Sequence, residues 1–139
     1  MNIKEYLENA FRIDHRLASK FEQIASYNAL ATKATSTFNG LPGGSKDVHR
    51  MENIIIKITE LKSEGSEQIE NLIEMKTNIT HMIEELENPE YQLVLELRYL
   101  NMKSWEQISV ELGYNSRHAR RMRDEAVCEL ERIVNKVAC

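Results

Sequence analysis

The chain has 139 residues, 29% of them charged and 6% aromatic, with only five glycines and two prolines. That size and mix admit one globular domain or two small ones, and they favour long helices over a β fold. The formal net charge of −4 speaks against a general polyanion binder but leaves room for a local basic site, because nucleic acid responds to the charge on one face.

Residues 2 to about 33 are expected to form one long amphipathic helix. Ile3, Leu7, Ala10, Ile13, Leu17, Phe21, Ile24, Tyr27 and Ala31 recur at alternating steps of three and four, which keeps them on one helix face. Residues 35–47, with Gly40, Pro42, Gly43 and Gly44, read as a linker that permits chain reversal. Phe38 and Leu41 are its only large apolar residues.

Residues 48–87 form the second expected helix, with a seven-residue register. Met51, Ile58, Gly65, Leu72, Ile79 and Leu86 make one column, and Ile54, Leu61, Gln68, Met75 and Met82 make its partner. Ile55, Ile69 and Ile83 broaden the stripe. A helical glycine costs about 1 kcal/mol relative to alanine, so Gly65 is a weak point, but the helix is expected to run through it. Two such helices joined by a flexible loop fold most simply into an antiparallel, coiled-coil-like hairpin. Stripes this wide need more cover than one hairpin gives. A second copy of the chain supplies it in a homo-oligomer, most simply a dimer; alternatively the C-terminal part folds back onto the hairpin.

Asn88-Pro89 is a domain boundary, because Asn caps helices and Pro suits the first helical position. The expected domains are therefore 1–88, an oligomerising hairpin, and 89–139. In the second, a helix from Pro89 to Leu100 buries Leu93, Val94, Leu97 and Leu100. After a turn at Asn101-Met102-Lys103, Ser104 caps a short helix from Trp105 to Leu112, whose inward residues are Trp105, Ile108 and Leu112. Ser109 is small enough for another helix to pass closely. Gly113 suits a left-handed C-cap. Asn115 caps a last helix from Ser116 to about Val137 that buries Ala119, Met122, Ala126, Leu130, Ile133 and Val137. The fold class is all-α: a long helical hairpin followed by a helix-turn-helix domain.

Residues 116–123 hold four arginines, one histidine and no acid. A helix in the DNA major groove presents positions i, i+3, i+4 and i+7, which from Arg117 are Arg120, Arg121 and Asp124, with Ser116 at the tip. The expected core residues Ala119, Met122 and Ala126 lie on the opposite face. Arginine offers a two-pronged fork to guanine O6 and N7, so Arg117, Arg120 and Arg121 are the candidate base readers. Arg123 and His118 project sideways and suit phosphates, as do Lys103 and the amides at the start of the short helix. The plainer reading is a solvated helical face, with Arg120–Asp124 and Arg121–Glu125 as i,i+4 ion pairs worth about 0.2–0.5 kcal/mol each.

The stretch Leu95-Glu96-Leu97-Arg98-Tyr99, then Ser104-Trp105-Glu106-Gln107-Ile108-Ser109, Leu112-Gly113 and Asn115 onward resembles region 4 of bacterial sigma-70 factors. The likeness covers about 45 residues and is more specific for fold than for function, since LuxR-type domains share a related pattern. Met102 stands where that family often has Gly, so Asn101 is expected to take the left-handed step. Ala119 replaces the usual Val or Ile. No counterpart of the sigma region that opens promoter DNA is present. A helical N-terminus ahead of this motif resembles phage transcription regulators of the ArpU/RinA type, which implies double-stranded DNA as partner and late-gene activation as role. The alternatives are an adaptor that docks on RNA polymerase, as sigma region 4 does, and a phage small terminase subunit.

Elsewhere the residues read as structural. Arg98, Tyr99 and Trp105 belong to the expected core. His15, His49 and His81 lack neighbours at metal spacing, and Cys128 and Cys139 make neither a zinc motif nor a disulfide framework, so no metal or cofactor is expected. No arrangement for nucleophilic or acid–base catalysis stands out, so an enzyme is not expected. With no membrane-spanning run and no signal-peptide core, the expected location is the cytoplasm.

Overall fold

The computed structural model describes residues 2–37 and 45–136. All regular structure among them is helical: α1 Ile3–Thr37, α2 Ser45–Glu84, α3 Pro89–Leu95, a π-helical turn Glu96–Leu100, α4 Trp105–Leu112 and α5 Ser116–Asn135. The first two helices form the expected hairpin. The Asn78 amide donates to the Tyr6 hydroxyl at 3.0 Å, and the Lys20 ammonium lies 3.4 Å from Glu64. The partner's number falls as fast as the residue number rises, as an antiparallel pair requires. α1 and α2 each run a few residues into the segment expected as linker; Phe38 and Leu41 lie outside the described residues. α2 is unbroken through Gly65.

The described chain divides into two compact units, residues 1–14 with 71–139 and residues 15–70, so the division crosses both long helices and does not fall at Asn88-Pro89. In the first unit, Ile3, Leu7 and Ala10 of α1 and Leu72, Met75, Ile79, Met82 and Ile83 of α2 are buried together with residues from α3 to α5. The alternative in which the C-terminal part folds back is thus realised on the first three turns of α1. Among the described residues of the second unit only Leu17, Ile54 and Leu61 are buried large apolar residues, and Phe21, Ile55 and Ile69 of the expected stripe are exposed.

Beyond α2 the chain is punctuated by local caps. The Asn88 side chain accepts from the Glu90 amide at 2.9 Å, with Pro89 at the first helical position. Gln92 closes the end of α2, its amide donating to the Leu86 carbonyl at 2.8 Å and the Ile83 carbonyl at 3.3 Å. Ser104 and Gln107 form a reciprocal capping box on α4, Gly113 ends it at φ 74°, and Asn115 accepts from the His118 amide to start α5. The Ser109 hydroxyl donates to the Tyr114 carbonyl and ties α4 to that turn.

Three expectations are corrected here. The helix expected as Pro89–Leu100 turns π-helical after Leu95, with the Asn101 amide donating to the Glu96 carbonyl at 2.9 Å. A π turn inserts one residue into the helical phase. Leu93 is consequently 42% exposed, and Leu95 and Tyr99 are buried in addition to Val94 and Leu97. Secondly, the left-handed step after this turn falls on Met102 (φ 54°), while Asn101 stays right-handed. Met102 therefore holds the glycine-like conformation itself, at a steric cost of about 1–2 kcal/mol. Thirdly, Cys128 is disulfide-bonded, against the expectation of no disulfide framework; Val137 lies outside the described residues. Along α5 the core comprises Ala119, Met122, Ala126, Val127 and Leu130, whereas Ile133 is 36% exposed.

Candidate nucleic-acid interface

α4 and α5 pack on each other and α5 packs on α3, which holds the N-terminal half of α5 by one face. Ala119, Met122 and Ala126 occupy that inner face. Arg117, Arg120 and Arg121 are exposed, and Ser116 and His118 are partly exposed. The base-reading candidates thus share the free side of α5, as their phase requires.

The acids expected to neutralise these arginines have other partners. Glu125 accepts from the Tyr91 hydroxyl at 2.9 Å, a bond that raises the phenol's pKa. Asp124 lies 2.7 Å from Arg123 Nε and 3.8 Å from the Lys4 ammonium. Neither i,i+4 ion pair of the plainer reading is present among the described residues. Arg121 instead meets a ring nitrogen: its Nη2 is 2.8 Å from His118 Nδ1. The His118 ring is set edge-on to Tyr114, centroids 4.7 Å apart, and the Tyr114 hydroxyl donates to Glu90 at 3.4 Å. His118, a candidate phosphate contact, is thereby placed beside Arg121.

Arg123 does not project sideways to solvent either. Its side chain is only 12% exposed. Nη1 donates to Glu8 at 3.2 Å and to the Tyr99 hydroxyl at 3.1 Å, and the guanidinium stands 4.9 Å from the Trp105 ring centre. Tyr99, its ring fully buried, donates to the same Glu8 oxygen at 2.7 Å. Burial raises the Tyr99 pKa, reinforced by the Glu8 bond. Burial alone would lower the Arg123 pKa, but its bonds to Tyr99 and Asp124 outweigh that and raise it. Arg123 is therefore a clamp between α5, the π turn and the start of α1.

Arg98 belongs to the same cluster. It lies 3.8 Å from the Phe11 ring centre and 4.7 Å from that of Trp105, and its Nη1 donates to the Lys103 carbonyl at 3.0 Å. Its Nε is buried without a hydrogen-bond partner, and burial lowers its pKa. Arg120 reaches the opposite margin of the cluster, 5.9 Å from Trp105. Trp105 thus anchors the core and also lies within cation–π range of the Arg120 guanidinium.

Lys103, the remaining phosphate candidate, is half-buried and paired with Glu111 at 2.5 Å, so its charge is already met. The capping box likewise occupies the Gln107 and Ser104 amides, which leaves fewer donors at the start of α4 than the sequence suggested. Glu8 and Phe11 both lie off the α1 stripe that periodicity selects. Phe11, four residues after Leu7 and just off the main stripe, was the available signal that α1 has a second apolar edge. Among the described residues no group of three or more His, Cys, Asp or Glu could hold a metal ion, and no helix is long and apolar enough to cross a membrane.

Comparison with characterised proteins adds a family but no activity. No curated protein and no solved structure matches the chain. Residues 15–132, which include most of both long helices, α3, α4 and nearly all of α5, match the model of a family described as a protein of unknown function, DUF722, and the chain belongs to that family.

Proposed function

We propose that this protein is a sequence-specific DNA-binding transcription regulator, of the phage late-gene-activator type, that reads the major groove with α5. The observation that carries the reading is the acid-free guanidinium face. Arg117, Arg120 and Arg121 are exposed on one side of a helix whose neighbouring acids, Asp124 and Glu125, are engaged by Arg123, Lys4 and Tyr91. An ordinary solvated helix face would spend those acids on the arginines. Here the charge is left available for phosphate and guanine edges, on a helix whose first turn is fixed by Asn115 and whose opposite face is core.

The resemblance of residues 95–130 to sigma region 4 supports the same reading. Two readers, paired through a second copy of the chain, would call for two half-sites in the DNA. The test is selection of duplexes from a random pool by the full chain, followed by binding to the recovered site. The reading requires an enriched sequence and its loss in Arg120→Ala and Arg121→Ala. Unchanged binding by both variants would refute those contacts.

One observation favours a second reading, an RNA polymerase-docking adaptor. Val110 on α4 is 86% exposed, flanked by Glu106, Gln107 and Glu111 in an open hollow of about 520 Å³. An acid-rimmed apolar spot suits a basic protein surface and not a phosphate backbone. Co-purification with polymerase without any DNA affinity would favour this reading.

A further inference from the structure

Residues 15–70 make two paired helices without a core of their own. Of the large apolar side chains described there, only Leu17, Ile54 and Leu61 are buried, while Phe21 is 54%, Leu30 50%, Val48 47%, Ile55 54%, Ile56 55% and Ile69 37% exposed. The exposure has a pattern. Val48, Ile55 and Ile69 recur at seven-residue spacing, with Lys62 filling the missing step. They form a column on α2 beside the Ile54/Leu61 seam. At its foot lies a hollow of about 250 Å³ walled by Phe21, Ile24, Leu61, Gly65 and Ile69, with Lys20 and Lys62 at its margin. Gly65 forms the floor: a β-carbon there would meet no atom within 4 Å.

We infer that this face is the joint between two copies of the chain, closed by a two-fold axis that sets Phe21 of each copy over the Gly65 hollow of the other. Three observations choose a second copy over a foreign partner. The knob and the hole are on the same surface, which is the condition for an isologous contact, where residue i meets j and j meets i. The seven-residue register of α2 is the register in which helices pack side by side over length. The charge permits it, too: residues 15–70 carry seven Lys or Arg and seven Asp or Glu, so two copies meet without net repulsion although the whole chain stands at −4. A near-neutral surface favours association. Ile56, on the far side of α2 from the hollow, lies outside the joint.

The joint is independent of DNA, so it is tested without it, by sedimentation equilibrium of the full chain. The wild type and Ile56→Asp are expected at twice the chain mass. Phe21→Asp and Gly65→Leu are expected to raise the dimer dissociation constant at least about tenfold, as loss of a central aromatic anchor does. Leucine at position 65 enters empty space in a single chain, so that variant is expected to keep its helical circular dichroism while losing the dimer. A wild type that runs at the mass of one chain, or a Gly65→Leu and Phe21→Asp pair that both stay dimeric, would overturn the joint and leave the DNA reading standing.

Discussion

Residues 15–70 and the rest of the described chain are both helical, yet they are held together differently. In the unit of residues 1–14 and 71–139, side chains from six helical segments close around Ile79, Val94, Leu95, Tyr99, Ile108, Ala119 and Leu130, and part-buried polar side chains are tied across the chain. Glu8, Tyr99 and Arg123 share their hydrogen bonds over a sequence separation of up to 115 residues. In residues 15–70 two helices touch along one seam, where Leu17, Ile54 and Leu61 are the buried large apolar side chains among the described residues. The difference fits the roles proposed for the two units. A surface that must present three arginines in fixed positions needs a rigid support, because a loosely held side chain reads bases poorly. A hairpin that leaves its apolar column open is built to be completed by something else.

The largest expected effect breaks the rigid unit. Tyr99→Ala empties a fully buried ring and removes the donor that links Glu8 to Arg123, so it should cost about 3–5 kcal/mol in urea unfolding. Tyr99→Phe keeps the ring and removes only the hydroxyl, and should cost about 0.5–1.5 kcal/mol. Equal losses in the two would mean that the hydroxyl, not the packing, dominates.

Next come the readers. Arg120→Ala or Arg121→Ala should each remove about 1–3 kcal/mol of discrimination at one base pair, read from binding to single-substitution duplexes. His118→Phe keeps the ring edge against Tyr114 but cannot accept from Arg121. It should relax the preference only at the base pair that Arg121 reads, and a double variant with Arg121→Ala should add nothing further there.

A gain should follow at the turn. Met102→Gly relieves the left-handed residue between the π turn and α4, and should stabilise the fold by up to about 1–2 kcal/mol, partly offset by the freer unfolded chain. In the hairpin, Gln68→Met removes an unsatisfied buried amide oxygen and should raise stability by about 1 kcal/mol. The smallest effect belongs to Lys103. Its charge is met by Glu111, so Lys103→Ala should change DNA affinity less than any of the exposed arginines, uniformly across sequences and with a small change in salt slope.

The features legible in the sequence are those decided over a few residues. Asn88, the Ser104–Gln107 box and Asn115 act where their types indicate, because an N-cap joins a side chain to a backbone group two or three positions away, and Gly113 does so because it takes the left-handed backbone at no steric cost. The hairpin and the continuity of α2 through Gly65 followed from periodicity over many turns. Two kinds of feature were hidden. The π turn changes the helical phase by one residue, so a fixed 3.6-residue count placed Leu93 inside when it is outside and overlooked Leu95. The roles of Arg123 and Lys103 depend on acids that sequence spacing does not select, Glu8 at the far end of the chain and Glu111 eight residues away. Phase alone separates an arginine that faces the core from one that faces solvent only where the neighbouring elements are known.

The central claim is that the acid-free face of α5 reads DNA. The most direct measurement is binding of the full chain to a duplex selected from a random pool, against the same duplex substituted one base pair at a time. The account predicts a small set of base pairs whose substitution weakens binding, with Arg120→Ala and Arg121→Ala each abolishing the preference at a different one. An unenriched pool, or a preference that both variants retain, would contradict it.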